Sequence, residues 1–185
     1  MRAELTETIG YDDLVERCKK GDSKAFTSLY HRYAKELYNT IYRFVNHTGE
    51  AEDLLQDTFV AAYQHINQFQ YKSSFIGWLK RIAINKAISA IRKKKIKFSD
   101  AEIETVSIAD EVFDEAAFAF KVDEVKKAIT QLSEGYRTIV NLYLFENIPQ
   151  EEIGEMLGIS HTTVRTQYHR AKAKIYESLQ KGGLV

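Results

Sequence analysis

Apolar residues in this chain recur three and four positions apart, and this spacing constrains the fold more than any other feature. One stretch places Phe26, Leu29, Tyr33 and Leu37 on a single face of a predicted α-helix. No apolar segment of useful length alternates with period two, and the 185 residues include one proline and nine glycines. The sequence therefore predicts an all-α protein.

Residues 151–175 have the pattern of a helix-turn-helix. Ile153 and Leu157 lie one turn apart and give the first helix an apolar stripe. Gly158 permits the left-handed conformation that ends helices, and Ser160 can cap the helix that follows. The second helix carries short or forked hydrogen-bonding groups opposite its apolar face, and such groups contact base edges and phosphates. These groups are Thr162, Arg165, Thr166, His169 and Arg170.

The net charge of zero hides a strong segregation of charge along the chain. Residues 71–98 carry nine Lys or Arg and no acid, whereas residues 99–120 carry seven Asp or Glu and no base. From residue 160 to the end there are five bases and one acid. Because one-sided basic segments beside aromatic residues are typical of nucleic-acid binding, these blocks favour a nucleic-acid partner.

Two small helical domains joined by an acidic linker are the predicted architecture. We expect domains over 1–98 and 121–185, with the linker over 99–120, where helical periodicity is weak. The predicted helices start at Asp12, after a cap at Asp22, near 50, 75 and 121, after a cap at Ser133, and after Pro149. The helices that start near 50 and 75 are expected over 50–67 and 75–95, and the helix after Ser133 is expected over 134–146.

Composition argues against several classes of function. No apolar run suits a signal peptide or a membrane span, so we expect a cytoplasmic protein that is not inserted in a membrane. One cysteine and five unpaired histidines lack metal-ligand spacing. We therefore expect no metal, no cofactor, no small-molecule substrate and no catalytic residue.

The predicted helix over 50–67 has an acidic face. Its opposite face carries Leu55, Phe59, Ala62 and Ile66 and should be core. The acidic face groups Asp53 and Asp57 with Gln56 and an exposed Val60, and no second ligand set converges on the carboxylates. This pattern favours a docking surface for a basic partner over catalysis.

The predicted helix over 75–95 has a stripe suited to single-stranded nucleic acid. The stripe spans about a third of the circumference at 3.6 residues per turn, and it comprises Trp78, Arg81, Asn85, Ser89 and Arg92. Rings and guanidiniums of this kind stack on bases and hold a backbone. Phe69 and Tyr71 in the preceding loop offer two further stacking surfaces, and the core face is expected to carry Phe75, Leu79, Ile82 and Ala83.

In this order, the segments resemble bacterial sigma factors of the extracytoplasmic-function group over almost the whole chain. The start of that family's region 2 resembles GDSKAFTSLYHRYAKELY, and its polymerase-docking segment resembles GEAEDLLQDTF. Its minus-ten segment is similar to FIGWLKRIAINKAISAIRKKK. Its region 4 is similar to LSEGYRTIVNLYLFENIPQEEIGEMLGIS with the helix that follows.

The resemblance implies a promoter-specificity subunit with three partners: the RNA polymerase core, promoter DNA and an anti-sigma factor. It implies that Asp53, Gln56 and Asp57 dock on the polymerase core. Phe59 lies in the same segment, but its helix face places it in the hydrophobic core of the domain, where it supports the docking residues. Minus-ten recognition would involve a loop that holds a flipped-out base, and the implied residues are Asn67, Phe69, Tyr71, Lys72, Trp78, Arg81, Asn85 and Arg92. Minus-thirty-five recognition would involve Ser160, Thr162, Thr163, Arg165, Thr166, His169 and Arg170. The acidic linker would thread a basic channel of the polymerase.

Three positions depart from the family pattern, so a relative's promoter sequence cannot be transferred to this chain. Thr162 stands where the family usually has the Gly of a Gly-Thr pair. Ser89 stands where Asp is usual, and Tyr168 stands where Leu is common. Three alternatives remain open. They are a stand-alone helix-turn-helix repressor or activator, a metal-dependent nuclease using the acids near 50–57, and a degenerate sigma-like regulator, which Ser89 leaves open.

Overall fold

The computed structural model describes residues 13–94 and 122–181, and every regular element within them is helical. The all-α prediction is confirmed. The chain divides into two compact units, residues 1–92 and 93–185. The expected boundaries at 98/99 and 120/121, and the acidic linker 99–120, lie outside the described residues and stay predictions.

The described part of the first unit holds α1 (13–19), α2 (Ser23–Val45), α3 (Thr48–His65) and α4 (Phe75–Lys93), whose last residue falls just past the boundary of the unit. A 3-10 turn, Ile66–Gln68, continues α3. Asp22 caps α2 as predicted, because its Oδ1 accepts from the N–H groups of Lys24 at 2.9 Å and Ala25 at 3.2 Å. Its Oδ2 accepts from Arg17 Nη2 at 2.8 Å and thereby ties α1 to the start of α2.

The core of the first unit lies between α2, α3 and α4. The predicted core face of α3 is confirmed, since Leu55, Phe59, Ala62 and Ile66 are all buried. On α4 the apolar stripe passes through Ala83 and Ile84 and leaves Ile82 half-buried at its border. The expectation that Ile82 is a core residue is therefore wrong, and Ile84 takes that place.

The second unit contains α5 (Val122–Gln131), α6 (Glu134–Val140), α7 (Gln150–Leu157) and α8 (His161–Lys181). Its helices pack around a cluster of apolar residues, comprising Ile129, Leu132, Tyr136, Val140 and Ala171. Arg137 is buried there, and its Nη1 donates to the carbonyl oxygens of Thr130 at 3.3 Å and Leu132 at 2.8 Å. The guanidinium thus satisfies carbonyls at the end of α5, while burial lowers the pKa of Arg137.

The predicted α-helix over 134–146 begins at Glu134, as predicted, but does not continue as an α-helix to residue 146. After Val140 the backbone widens into a π-helical turn, Asn141–Phe145. The side chain of Ser133 makes no capping hydrogen bond, so the predicted cap is wrong. Ser133 still occupies the N-cap position, and its backbone carbonyl accepts from Arg137 N at 2.9 Å.

Among the described residues, no helix combines the length and the apolar character needed to cross a membrane.

Candidate nucleic-acid and polymerase interfaces

The turn between α7 and α8 depends on two glycines. Gly158 has φ = 70°, in the left-handed region, and ends α7 as predicted. Gly154 is buried where the chain returns over α7, and its carbonyl accepts from Ile159 N at 3.0 Å. A Cβ at Gly154 would lie 2.9 Å from the Ile159 carbonyl oxygen. This close approach sets the spacing between α7 and the start of α8.

Hydroxyl groups organise the start of α8. Ser160 Oγ accepts from Thr163 N at 3.0 Å, so the predicted cap is confirmed, and it lies 2.8 Å from Thr163 Oγ1. His161 Nε2 lies 3.4 Å from Glu151 Oε1 and connects α8 to α7. The hydroxyls of Ser160 and Thr163 are therefore engaged with each other at the start of α8, whereas Thr162 in the same turn is exposed.

The face of α8 predicted to contact DNA is turned to solvent. Thr162, Arg165 and His169 are exposed, and Thr166 and Arg170 are half-buried. The opposite face is core, and its buried residues are Val164, Gln167, Ala171 and Leu179. Gln167 is a buried polar residue that the sequence analysis missed. Tyr168 keeps the core face intact, because its ring packs edge-on against Tyr143 with centroids 4.8 Å apart.

On α4, the predicted stripe lies along one side of the helix. Arg81, Asn85 and Arg92 are exposed, and Trp78 is half-buried. The Ser89 hydroxyl donates to the Asn85 carbonyl one turn back at 2.8 Å. Ser89 therefore presents no carboxylate where the resembled family usually has Asp, and its hydroxyl is partnered within α4.

The loop between α3 and α4 presents its aromatic residues differently from the prediction. Phe69 is 4% exposed, so the expectation that it stacks on a base is wrong for this conformation. Its ring fills the space between Tyr71, Phe75 and Trp78, with centroids 4.7, 5.4 and 5.5 Å away. Tyr71 is 41% exposed and offers its ring to solvent, as predicted. Asn67 and Lys72 are also exposed.

Residues of α1 support Tyr71, and sequence reasoning missed them. Tyr71 donates its phenolic hydrogen to Glu16 Oε1 at 2.6 Å, and Lys19 Nζ lies 4.3 Å from the centre of the Tyr71 ring. The Tyr71 hydrogen bond first, and then the hydrogen bond from Lys19, hold the pKa of Glu16 below its usual range. Glu16 and Tyr71 are 55 residues apart in the chain, and no local sequence pattern predicts a contact at that separation.

The acidic face of α3 lies beside an apolar groove. Asp53, Gln56 and Asp57 are exposed, as predicted, and Val60 is 56% exposed. The groove, of about 570 Å³, runs between α2 and α3. Its hydrophobic lining side chains are Phe26, Tyr30, Phe59, Val60 and Tyr63. Acidic groups beside exposed apolar ones suit a basic partner that also offers apolar side chains.

The same acids do not form a metal site. Among residues 13–94 and 122–181, no three His, Cys, Asp or Glu side chains lie close enough together to hold a metal ion. The nuclease alternative therefore has no ligand set in the described parts of the chain.

Family models match both units. The model of sigma-70 region 2 matches residues 29–96, and the model of sigma-70 region 4 matches residues 123–175. The chain is 33% identical over 177 residues to the ECF RNA polymerase sigma factor SigW of Bacillus subtilis, covering 90% of this chain and 95% of SigW. It is also 33% identical over 181 residues to the RNA polymerase sigma-H factor of Pseudomonas aeruginosa, covering 90% and 92%.

Solved structures support the same fold. The sigma factor RpoE of Bartonella quintana, in complex with the anti-sigma factor NepR, matches with a TM-score of 0.53 and 24% identity, over 85% of this chain and 98% of RpoE. CnrH, in complex with the cytosolic domain of CnrY, matches with a TM-score of 0.51 and 24% identity, over 91% and 96%.

Proposed function

The chain belongs to the extracytoplasmic-function group of sigma-70-family sigma factors, and we infer that it is a promoter-specificity subunit of bacterial RNA polymerase. One observation carries this function. A single chain holds a region 2 unit with an exposed acidic docking face and a basic α4 stripe, and a region 4 unit with an exposed recognition face on α8. A stand-alone helix-turn-helix regulator would need only the second of these units.

In this proposal the two DNA contacts have different chemistry. On α8, Arg165 and His169, with Thr162 and Thr166, face the minus-thirty-five major groove. On α4, Trp78, with the exposed Arg81, Asn85 and Arg92, holds the unwound minus-ten strand. Phosphate contacts supply affinity that weakens with salt, and each base contact supplies about 1–3 kcal/mol of discrimination.

Binding to the polymerase core should strengthen the binding of the subunit to promoter DNA. When the core holds both units on one DNA molecule, binding of the second unit becomes intramolecular, and its effective concentration rises. We propose that Asp53, Gln56 and Asp57 make the polar part of the contact with the core. The exposed Val60 and Tyr63 beside them supply apolar area.

We also propose an anti-sigma partner, because the similar RpoE of Bartonella quintana was solved in complex with the anti-sigma factor NepR. The full chain, used as bait in extract of its own cells, should capture one protein that competes with core polymerase. That protein, once purified, should reduce sigma-dependent transcription in proportion to its concentration. If no captured protein competes with core polymerase for this chain, this part of the proposal is wrong.

Run-off transcription with purified core polymerase tests the function directly. Core alone and core with this protein are compared on its own upstream region and on genomic fragments. We expect specific transcripts of defined length that appear only when the protein is added. Failure of the chain to bind core at all would contradict the proposal.

The neutral Ser89 allows one second candidate, a sigma-like regulator that binds polymerase without starting transcription. Intact core binding with no protein-dependent transcript on any fragment would favour that candidate. A Ser89→Asp variant separates the two, because it restores the residue usual in the resembled family. If core polymerase starts transcription with the variant but not with the parent protein, Ser89 is the cause of the parent's inactivity.

A further inference from the structure

Resting on the proposed function, we propose that Glu16 of α1 is a positioning residue for minus-ten recognition. It holds Tyr71 so that the exposed part of the ring stacks on an unpaired base of the promoter strand. The minus-ten surface then includes α1, in addition to α4 and the loop before it.

The backbone of Tyr71 requires outside support. Its φ is 58°, in the left-handed region that non-glycine residues rarely adopt, and a bulky residue persists there only when its surroundings hold it. The bond from the Tyr71 hydroxyl to Glu16 Oε1, at 2.6 Å, has the short length of a hydrogen bond to an ionised acceptor. This contact supplies an anchor from outside the loop.

Lys19 completes the support on a second side. Its Nζ donates to Glu16 Oε1 at 3.1 Å and lies 4.3 Å from the centre of the Tyr71 ring. The cation–π contact orients the ring, and the hydrogen bond from Lys19 holds the Glu16 carboxylate that accepts from Tyr71. Phe69 packs against the ring at a tilt of 55°, and Tyr71 as a whole stays 41% exposed.

The ligand chemistry follows from what surrounds Tyr71. Phe69 is buried between Tyr71 and Trp78, so the three rings form a continuous aromatic row from the loop to α4. Exposed Lys72 and Arg81 supply positive charge at the loop and on α4. Partly exposed rings flanked by cations suit unstacked bases of single-stranded DNA.

Binding of the complete holoenzyme to a fork-junction promoter tests this role. The fork carries a single-stranded non-template minus-ten segment. Tyr71→Phe removes the hydroxyl and keeps the ring, and Glu16→Ala removes the acceptor. We expect each to weaken binding about three- to tenfold, and the double variant to be no weaker than the worse single variant. Glu16→Gln, which keeps an acceptor oxygen, should lose less.

Glu36→Ala is the matched control. It removes another exposed carboxylate of the first unit, whose partner is Lys80 at 2.8 Å and not the loop. We expect this variant to bind the fork as the parent does. Core affinity should be unchanged in every variant.

Removing one base at a time from the single strand distinguishes positioning from a general structural defect. If Tyr71 stacks on a base, the penalty of Glu16→Ala disappears on the fork that lacks that base. An equal penalty on every abasic fork would overturn the inference. So would fork binding by Tyr71→Phe and Glu16→Ala within twofold of the parent. If the parent holoenzyme itself failed to bind the intact fork, the proposed function would fail together with this inference.

Discussion

Gly154→Ala should destabilise the second unit, although alanine ordinarily favours helices. Two opposing effects decide the sign. Within a helix, alanine is favoured over glycine by about 1 kcal/mol. Against this, the new Cβ would lie 2.9 Å from the Ile159 carbonyl oxygen and 3.5 Å from His161 N, and both of these are backbone atoms.

The size of the steric effect follows from the nature of that obstacle. A flexible side chain could move aside, but Ile159 is fixed by its own hydrogen bond to the Gly154 carbonyl at 3.0 Å. Overpacking of this kind costs about 1–3 kcal/mol, and the rigid backbone places it in the upper part of that range. The net loss of unfolding free energy is therefore about 1–2 kcal/mol, or about 5–15 °C in Tm for a domain of this size.

Gly49→Ala is the matched control in the first unit. Gly49 lies in the first turn of α3, and a Cβ there would meet only the His47 ring, at an ordinary 3.5 Å. This substitution should stabilise the first unit by about 0.5 kcal/mol.

Two spectroscopic signals separate the effects on the two units. The chain has one tryptophan, Trp78, and it lies in the first unit. During urea denaturation, Trp78 fluorescence should shift to a higher midpoint for Gly49→Ala and stay unchanged for Gly154→Ala. Far-UV circular dichroism should reveal the loss in Gly154→Ala. A Gly154→Ala protein as stable as the parent by circular dichroism would refute the argument about the Ile159 carbonyl.

Three further predictions concern individual side chains. Arg165→Ala should reduce minus-thirty-five binding by about 1–3 kcal/mol at particular base pairs, measured across a panel of single-base promoter variants; a uniform loss would identify a phosphate contact instead. Asp53→Lys should weaken binding to core polymerase, measured by titration of labelled protein, with an unchanged circular dichroism spectrum; unchanged affinity would remove that face of α3 from the interface. Asp22→Asn keeps a capping oxygen but loses the charge that pairs with Arg17. The hydrogen bond from Arg17, and then those from the Ala25 and Lys24 backbone, lower the pKa of Asp22. Its contribution to stability is therefore present above the unfolded pKa of about 3.9 and is lost as the pH falls through the lowered folded pKa. The parent should lose stability below about pH 4 more steeply than Asp22→Asn in Trp78-monitored unfolding, and equal slopes would contradict this.

Features that depend on a few neighbouring residues were predictable from the sequence. The Asp22 cap, the left-handed Gly158 and the Ser160 cap are each confirmed. They could be predicted because each depends on one residue type and on backbone groups close to it in the chain. The Ser133 cap is the exception. Ser133 is a suitable residue type and stands at the N-cap position, yet its side chain accepts no backbone hydrogen bond.

The sequence by itself determined the helical class, the order of the two units and the family, since periodicity and ordered motifs carry that information. Tertiary structure alone decided which aromatic residues of the loop between α3 and α4 are exposed. Phe69 and Tyr71 are two residues apart, yet one is 4% and the other 41% exposed. The difference arises because Phe69 fills a space between the loop and α4, while Tyr71 is held outward by Glu16, 55 residues earlier. Contacts at that separation depend on how whole helices pack, and no local residue pattern records them.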